Sequence, residues 1–337
     1  MYTNGQDRIL GVYNLNSNRL LYNMPTLNGF AYCLATNALD PSIVALGVGD
    51  GLIRVWKTNS NKLLDINHVR VNQAKIMSLA WHPEREGFIG FGTDEGRVGW
   101  LDVLSQRTQV THSAYQHRGG VYCVSWATDI TASSPGKENE YFLYTVGEGK
   151  FVQHNVKSEK YVVITDLPQF TGGKKMNISQ AIWKTVANKE FLIFGYEDGT
   201  VEFRLIPDLN VVLTLKSFTK LIQCLAFHPD FLNDGSDARY KNWLAVCSNE
   251  LQIHVWDLNA VLLKQKDTSE IERDDNGLIL VTPSVKLEAH WQRILELSWS
   301  HFHNGRLLSI SYDSSAQVWD LETATPLHNF QVSFIIF

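Results

Sequence analysis

Short segments of alternating apolar and polar residues, each preceded by an acidic turn residue, recur along the whole chain. The clearest copy is residues 47–58, where a Gly-Asp-Gly turn leads into Leu-Ile-Arg-Val-Trp. An alternation with a period of two predicts a β-strand, and Asp and Gly predict the turn before it. In seven copies the acidic residue stands six positions before the residue that ends the strand. The pairs are Asp7/Tyr13, Asp50/Trp56, Glu95/Leu101, Glu148/His154, Asp198/Arg204, Glu250/Trp256 and Asp313/Trp319.

The spacing of these copies indicates the fold class. Successive copies are 43 to 63 residues apart, and several end in Trp-Asp or a related pair. A repeat of about 40 to 50 residues with a Trp-Asp ending is typical of the four-stranded blades of a WD40 β-propeller. No segment has a convincing helical period. The sequence therefore predicts an all-β protein, a WD40-repeat β-propeller that forms one domain over residues 1–337.

The predicted blades divide the chain unevenly. Residues 1–28 supply only two outer strands, Arg8–Leu15 and Arg19–Met24, of a blade shared between the chain ends. Residues 29–331 supply six complete blades, and residues 332–337 are a short apolar tail. We therefore predict six complete blades plus one incomplete blade, in which the inner strands are missing or replaced by the tail. Two polar segments, 129–140 and 264–276, interrupt the repeat and are predicted to be solvated loops.

The starts of the inner strands carry the candidate chemistry. The inner strands align on Thr36, Trp81, Trp126, Trp183, Phe227 and Trp299. Six positions earlier stand Phe30, Lys75, Gly120, Asn177, Leu221 and Arg293, and four positions earlier stand Tyr32, Met77, Tyr122, Ser179, Gln223 and Leu295. In a propeller these positions line one rim of the channel. Exposed rings with cations between them suit unpaired bases, because rings stack on bases and cations bind phosphates. The alternative, that the rings only pack between blades, stays open.

Composition narrows the function classes. The net charge is −5 and the isoelectric point about 6.1, which argues against non-specific coating of nucleic acid but allows a local basic patch. The start is not a signal peptide, and no apolar run reaches the roughly 20 residues of a membrane helix. We therefore expect no membrane association. Cys33, Cys123, Cys224 and Cys247 lie in strand patterns, which predicts buried, reduced thiols of an intracellular protein.

Catalysis finds little support in the sequence. The eleven histidines are scattered, and His117 and His290 precede inner strands, where propeller repeats commonly keep a structural histidine. No His, Cys or carboxylate cluster has the spacing of metal ligands. No nucleophile elbow is present, and residues 47–51 lack the helix that a phosphate-binding loop needs. The sequence predicts that the protein is not an enzyme and that it has neither a cofactor nor a metal site.

Several segments resemble one known family. They are Gly29–Ala35, Leu46–Trp56, Trp81–Gly87, Phe91–Gly99, Gly305–Asp313 and Ala316–Asp320. Together they resemble the snRNA-recognising fifth gemin of the survival-of-motor-neuron (SMN) complex, called rigor mortis in insects. The likeness covers nearly the whole chain and corresponds to the second of that family's two N-terminal propellers, which is seven-bladed.

The resemblance implies a function and a set of site residues. It implies an RNA-binding propeller that recognises the Sm site, the methylated cap, or both, of pre-snRNA. The RNA would be delivered to the SMN complex for the assembly of spliceosomal snRNPs, which serve mRNA splicing, in the cytoplasm and also in nuclear bodies. Phe30, Tyr122 and Arg293 match positions that the family uses for RNA, and Tyr312 is a further match; Tyr32 and Lys75 are weaker ones.

Two consequences follow from these matches. Phe30 and Tyr122 would stack on bases or on the cap purine, whose positive charge favours aromatic faces. Arg293 stands where the family has a lysine, so the charge is kept and the donor geometry changes. The alternative function is a protein–protein interaction scaffold without RNA binding.

Overall fold

The structure is a computed structural model with an all-β architecture. It describes residues 2–4, 8–14, 17, 19–26, 29–57, 66–70, 74–103, 107–110, 117–130, 140–167, 170–171, 174–175, 177–186, 189–216, 218–229, 238–259, 281–288, 290–300, 303 and 305–331. The predicted tail 332–337, the charged segment 264–276 and most of the polar segment 129–140 lie outside these residues.

The described chain forms two compact units. The first extends to residue 167, and the second runs from residue 170 to residue 331. Each unit consists of antiparallel sheets whose strands follow one another in chain order. The single domain expected over residues 1–337 stays a prediction. No described helix is long and apolar enough to cross a membrane.

The first unit begins with a three-stranded sheet. Its strands are β1 (Tyr2–Asn4), β2 (Ile9–Asn14) and β3 (Arg19–Pro25), paired in the order β1-β2-β3. The prediction of two strands in residues 1–28 was therefore short by one. The missed strand β1 has three residues, too few to show an alternating pattern, and it forms because Tyr2, Thr3 and Asn4 pair with Val12, Gly11 and Leu10.

Three four-stranded sheets follow in the first unit. The first of them has β4 (Ala31–Thr36), β5 (Ile43–Val48), β6 (Leu52–Lys57) and β7 (Ile66–Arg70). The next has β8 (Ile76–Trp81), β9 (Phe88–Thr93), β10 (Val98–Asp102) and β11 (Arg107–Val110). The last has β12 (Val121–Ala127), β13 (Phe142–Gly147), β14 (Lys150–Asn155) and β15 (Lys160–Asp166).

The second unit has a short hairpin and three more four-stranded sheets. The hairpin is β16 (Phe170–Thr171) with β17 (Lys174–Lys175). The first of these sheets has β18 (Ile178–Val186), β19 (Lys189–Tyr196), β20 (Thr200–Leu205) and β21 (Asn210–Lys216). The next has β22 (Ile222–Phe227), β23 (Trp243–Ser248), β24 (Ile253–Asp257) and β25 (Val285–Leu287). The last has β26 (Ile294–Trp299), β27 (Arg306–Ser311), β28 (Ser315–Asp320) and β29 (Thr325–Gln331). A 3-10 turn, Ala238–Tyr240, precedes β23. The six four-stranded sheets are the six predicted complete blades.

Three of the acidic turn residues close their turns, as the sequence predicts. The side chains of Asp50, Asp198 and Asp313 accept hydrogen bonds from the backbone amides two positions later, at 3.1, 3.1 and 3.0 Å. This local bond closes the turn between the second and third strands of a sheet, which is the usual role of Asp in turns.

Apolar side chains between neighbouring sheets form the cores of both units. In the first unit Ile53, Phe91 and Leu101 are fully buried between the β4–β7 and β8–β11 sheets. In the second unit Trp256 and Trp319 are each 1% exposed. Tryptophans of the aligned set also link neighbouring first strands by donating Nε1–H to a backbone carbonyl. These bonds are Trp81 to Ala35, Trp126 to Ala80 and Trp299 to Ala226, at 3.0, 2.9 and 2.8 Å.

Candidate nucleic-acid interface

A repeated backbone hydrogen bond marks the start of five of the six first strands. The residue that follows the second strand donates its N–H to the carbonyl just before the first strand. The pairs are Gly49 to Phe30, Asp94 to Lys75, Glu197 to Asn177, Asn249 to Leu221 and Tyr312 to Arg293, at 2.9, 3.0, 3.1, 3.2 and 3.1 Å. These positions are therefore structurally equivalent, as the sequence alignment predicts.

All six first strands carry a β-bulge at the same place. In each first strand the pairing register shifts across one residue, which is the second residue after the strand-start position (for example Tyr32 after Phe30). The six bulge positions are Tyr32, Met77, Tyr122, Ser179, Gln223 and Leu295. An extra residue in a bulge is left out of the ladder and its side chain is redirected. The bulges therefore present the second row of candidate residues, which the sequence alignment found without predicting the cause.

In the first unit the starts of three first strands lie next to each other. Cys33 donates Sγ–H to the carbonyl of Ile76 at 3.5 Å, which joins β4 to β8. Ser78 donates Oγ–H to the carbonyl of Val121 at 3.0 Å, which joins β8 to β12. The side chains at these adjacent starts form the first surface, defined as Phe30, Tyr32, Lys75, Met77 and Tyr122.

The first surface is open to solvent to different degrees. Phe30 is 38% exposed, Tyr32 is 40% exposed and Met77 is 36% exposed. Tyr122 is half-buried. The interpretation that these rings only pack between neighbouring sheets therefore does not describe Phe30 and Tyr32, each of which keeps more than a third of its surface in water.

Cations accompany the rings of the first surface. Lys75 Nζ lies 5.5 Å from the centre of the Tyr32 ring and 3.6 Å from Asp94 Oδ2. The guanidinium of Arg8, before β2, lies 5.3 Å from the centre of the Phe30 ring. Both distances are within the range of a cation–π contact. Arg8 was missed by sequence reasoning, because nothing local to residues 8 and 30 shows that they meet.

A glycine leaves space for the ring of Tyr32. The ring lies so close to Gly49 that a β-carbon there would come 2.8 Å from Tyr32 Cε2. Real side chains essentially never approach that closely, so only glycine leaves room for this ring. Gly49 is part of the turn in residues 47–51, whose glycines the sequence showed without indicating that one of them holds an aromatic ring.

The second unit has its own group of candidate side chains. The Arg293 guanidinium lies 4.4 Å from the centre of the Tyr312 ring, so these two predicted residues do meet. Trp291 stands two positions before Arg293 and is 70% exposed. Trp291, Arg293 and Tyr312 form the second surface. Trp291 was missed because the strand alignment began at Arg293, although an aromatic residue directly after His290 was a visible signal.

A buried polar network supports the second surface. His290 Nδ1 lies 2.8 Å from Asp313 Oδ2, and His290 Nε2 lies 2.7 Å from Ser309 Oγ. Ser309 Oγ also accepts a hydrogen bond from Trp319 Nε1 at 2.8 Å. Although burial opposes it, hydrogen bonds from Ser315 and His290 lower the pKa of Asp313 below its ordinary value. The network confirms that His290 is a structural histidine.

The corresponding network of the first unit has different members. His117 Nε2 and His154 Nε2 lie 2.9 and 3.0 Å from Thr145 Oγ1. Burial, and then the charge of Lys150, lower the pKa of His117 to about 4. Burial, and then His117, lower the pKa of His154 to about 3. Both rings are therefore neutral at pH 7, and His117 is structural as predicted.

The described residues offer little for other chemistry. Among them, no group of three or more His, Cys, Asp or Glu side chains is placed to hold a metal ion. Cys123, Cys224 and Cys247 are buried and Cys33 is half-buried, and none of the four is in a disulfide. That Phe30, Tyr122 and Arg293 line one common rim stays a prediction, since the first two residues belong to one unit and Arg293 to the other.

Known proteins resemble this chain over most of its length. The family model described as the RIG second beta-propeller matches residues 39–335. Gem-associated protein 5 of Homo sapiens is 33% identical over 341 residues, which is 98% of this chain and 22% of the relative. Its Mus musculus counterpart is 33% identical over 343 residues, again 98% of this chain and 22% of the relative. The Component of gems protein 5 of Dictyostelium discoideum is 28% identical over 108 residues, 30% of this chain and 8% of the relative.

These matches bear on both the fold and the resemblance. They confirm the prediction of a β-propeller and the similarity to the fifth-gemin family. The chain spans about a fifth of the length of the two mammalian relatives, with 22% of each covered.

Proposed function

The chain belongs to the RIG second beta-propeller family, and on that premise we propose that it is an RNA-binding propeller. It recognises the Sm site, the methylated cap, or both, of pre-snRNA, and takes part in delivering this RNA to the SMN complex for snRNP assembly. The mammalian relatives carry the name Gem-associated protein 5, which supports an association with that complex. The protein acts in the cytoplasm and in nuclear bodies, by binding and without catalysis.

The observation that carries the proposal is the first surface. Three successive first strands present Phe30 and Tyr32, then Lys75, then Tyr122, and Lys75 Nζ lies 5.5 Å from the centre of the Tyr32 ring. Single-stranded nucleic acid is held by rings on which bases stack and by cations that follow the phosphates. A net charge of −5 means that binding depends on this local arrangement and not on a general attraction between the protein and RNA.

The same rings suit the methylated cap. A methylated cap purine is positively charged, and aromatic faces attract cations. Phe30 is 38% exposed and already lies beside the guanidinium of Arg8, so this ring accepts a cation in its present position. A cap purine at Phe30 would replace Arg8 on the ring.

The direct test measures RNA binding by fluorescence anisotropy with the full chain. A labelled single-stranded oligonucleotide containing an Sm site is titrated with the wild type and with Phe30→Ala, Tyr122→Ala and Arg293→Ala. Each lost stacking contact is worth about 1–3 kcal/mol, so each aromatic variant binds about 5-fold to 150-fold more weakly. Leu327→Ala, at a 40% exposed position on the outer strand β29, is the control and binds as the wild type does.

Two results would reject the proposal. One is unchanged affinity in all three variants. The other is equal affinity for the oligonucleotide and for a duplex of the same sequence, because paired bases have no free faces for stacking. A cap analogue used as a competitor decides between the two RNA elements: it displaces a capped oligonucleotide only if the cap is bound.

A protein-interaction scaffold is the second candidate, and one observation favours it. Leu20, Leu21 and Tyr22 are consecutive on β3 and are 44%, 49% and 51% exposed. In the three-stranded sheet β3 pairs with β2 alone, and an exposed apolar edge strand is suited to pairing with another chain. Protein partners that remain bound after nuclease treatment, together with no crosslink to RNA, would support this candidate over the first.

A further inference from the structure

Trp291 is the most exposed large apolar side chain among the described residues, at 70%. Three other tryptophans of the second unit are deeply buried: Trp256 and Trp319 are each 1% exposed, and Trp299 is 4% exposed. Burying a large apolar side chain contributes roughly 1.5–3 kcal/mol to stability. Because 70% of its surface is exposed, Trp291 contributes little of this stabilisation.

The backbone that carries Trp291 is nevertheless fixed. Its N–H donates to Asp313 Oδ2 at 3.3 Å, and the same oxygen lies 2.8 Å from His290 Nδ1. Asp313 is 6% exposed and His290 is 7% exposed. The backbone of Trp291 is thus anchored by a buried network, and its indole lies mostly in solvent, where a flat ligand can reach it.

Arg293 and Tyr312 are already engaged with each other. The guanidinium lies 4.4 Å from the centre of the tyrosine ring, and the Tyr312 amide donates to the Arg293 carbonyl at 3.1 Å. A guanidinium in cation–π contact with a ring can still donate N–H groups to a phosphate. The ring face of Tyr312 on that side is therefore covered by Arg293 and is not open to a base.

Trp291 and Arg293 are also close enough to serve one nucleotide. They are two positions apart, and a fully extended chain spans at most about 7 Å over two residues. Both are bound to the segment 312–313, Trp291 through Asp313 and Arg293 through Tyr312. The backbones of an exposed aromatic residue and a cationic residue therefore lie close together at one end of the β26–β29 sheet.

We propose that Trp291 and Arg293 form a nucleotide subsite in which the Trp291 indole stacks on an unpaired base and Arg293 binds the adjoining phosphate. Tyr312 is the positioning residue that holds the guanidinium. The ligand class is a nucleotide of single-stranded RNA, and the inference rests on the proposed function. It adds a residue, Trp291, and gives Tyr312 the role of supporting Arg293.

The experiment extends the anisotropy measurement over a series of salt concentrations. Trp291→Ala is expected to bind about 5-fold to 150-fold more weakly, with the salt slope of the wild type, because only stacking is lost. Trp291→Phe keeps an aromatic face and recovers most of the affinity. Arg293→Ala lowers the slope of log K against log salt by about 0.7, the value for one phosphate contact of a single strand.

A double-mutant cycle tests the role of Tyr312. If Tyr312 acts by holding Arg293, Tyr312→Leu lowers the salt slope as Arg293→Ala does, and the two changes together weaken binding little more than Arg293→Ala alone. If Tyr312 is itself a stacking platform, its loss is additive to that of Arg293 and leaves the slope unchanged. The second result would overturn the positioning role.

Failure of this inference is distinguishable from failure of the proposed function. If the wild type and Trp291→Ala bind RNA equally while Phe30→Ala binds weakly, the subsite is rejected and the RNA-binding function remains. If the wild type does not bind the oligonucleotide, the proposed function and the subsite are both rejected. Leu327→Ala is the matched control on the same sheet, and unfolding by urea confirms that each variant is folded.

Discussion

The first and second surfaces present similar side chains on different kinds of support. The first surface is spread over three sheets, and its cations, Lys75 and Arg8, reach its rings from other segments of the chain. The second surface belongs to one sheet, and the backbone of Trp291 is anchored by the single buried carboxylate of Asp313. A distributed surface keeps most of its contacts when one residue is changed, whereas the anchoring of Trp291 in the second surface rests on one group.

The turn residues behind the two surfaces show the same contrast. Asp313 is 6% exposed and accepts hydrogen bonds from the backbone amide and the hydroxyl of Ser315. Glu148, at the corresponding place in the first unit, is half-buried. His154 takes the place of Trp319, and Thr145 takes the place of Ser309. The same sheet design therefore contains a carboxylate-centred network in one unit and a pair of neutral histidines in the other.

The largest expected effect comes from removing that carboxylate. Asp313→Ala leaves buried donors of His290, Trp291 and Ser315 without their acceptor, and should lower the free energy of unfolding by about 3 kcal/mol. Glu148→Ala should stay within about 0.5 kcal/mol of the wild type. Urea unfolding followed by circular dichroism measures both. Equal losses would contradict the claim that the second surface alone depends on a buried carboxylate.

Acid should affect the first unit through its histidines. The pKa values of His117 and His154, about 4 and about 3, lie below the unfolded value of about 6.5, so the unfolded state binds protons first. Their contribution to stability is full above pH 6.5 and is lost as the pH falls toward the folded pKa values. From pH 7 to pH 5 one such histidine accounts for a loss of about 2 kcal/mol.

His154→Gln provides the matched measurement for this prediction. It removes one titrating ring and keeps a polar side chain next to Thr145. Urea unfolding at pH 7 and pH 5 should show a smaller loss for the variant than for the wild type. An unchanged pH dependence would mean that His154 is not held neutral by its burial.

The glycine behind Tyr32 gives a smaller effect, on binding. In Gly49→Ala the new β-carbon would lie 2.8 Å from the tyrosine ring, so the ring must move, and RNA binding should weaken about 5-fold. In Gly120→Ala the nearest atom, Tyr122 Cε1, lies at 3.6 Å, an ordinary contact. Anisotropy should therefore separate the two alanine variants, and equal affinities would show that the position of Tyr32 is unimportant.

The smallest effect concerns the cations. Lys75 Nζ lies 3.6 Å from Asp94 Oδ2, so part of its charge is already balanced. Lys75→Gln should lower the salt slope of RNA binding by less than the roughly 0.7 expected for a full phosphate contact of a single strand. Arg293→Gln should lower it by the full amount. A larger change of the salt slope for Lys75→Gln than for Arg293→Gln would contradict the claim that the charge of Lys75 is partly balanced by Asp94.

Much of the fold could be predicted from the chain because its signals are local and repeated. Aligning tryptophans such as Trp81 and Trp126 located the first strands correctly, since each forms the same hydrogen bond to the neighbouring strand. The bulges were not predicted because all six first strands have the register shift at the same position, so their sequences still align with one another. Strand β1 was not predicted because three residues are too few to show an alternation of apolar and polar positions.

The surfaces could be predicted only in part, for a different physical reason. The positions of Phe30, Tyr32 and Arg293 follow from strand alignment, which is local. The contact between Arg8 and Phe30 joins segments whose meeting no local pattern encodes. Trp291 stands two positions before Arg293, where the strand alignment began, so the alignment left it out although its place directly after His290 is visible in the sequence.

The most direct test of the account is photo-crosslinking of the full chain to a single-stranded Sm-site RNA that contains 4-thiouridine, with mass spectrometry of the crosslinked peptides. The account predicts crosslinks on the peptides that carry Phe30 and Tyr32, Tyr122, and Trp291. Crosslinks confined to outer strands such as β3 would contradict the account. The absence of any crosslink to an RNA preparation shown to be intact would contradict it as well.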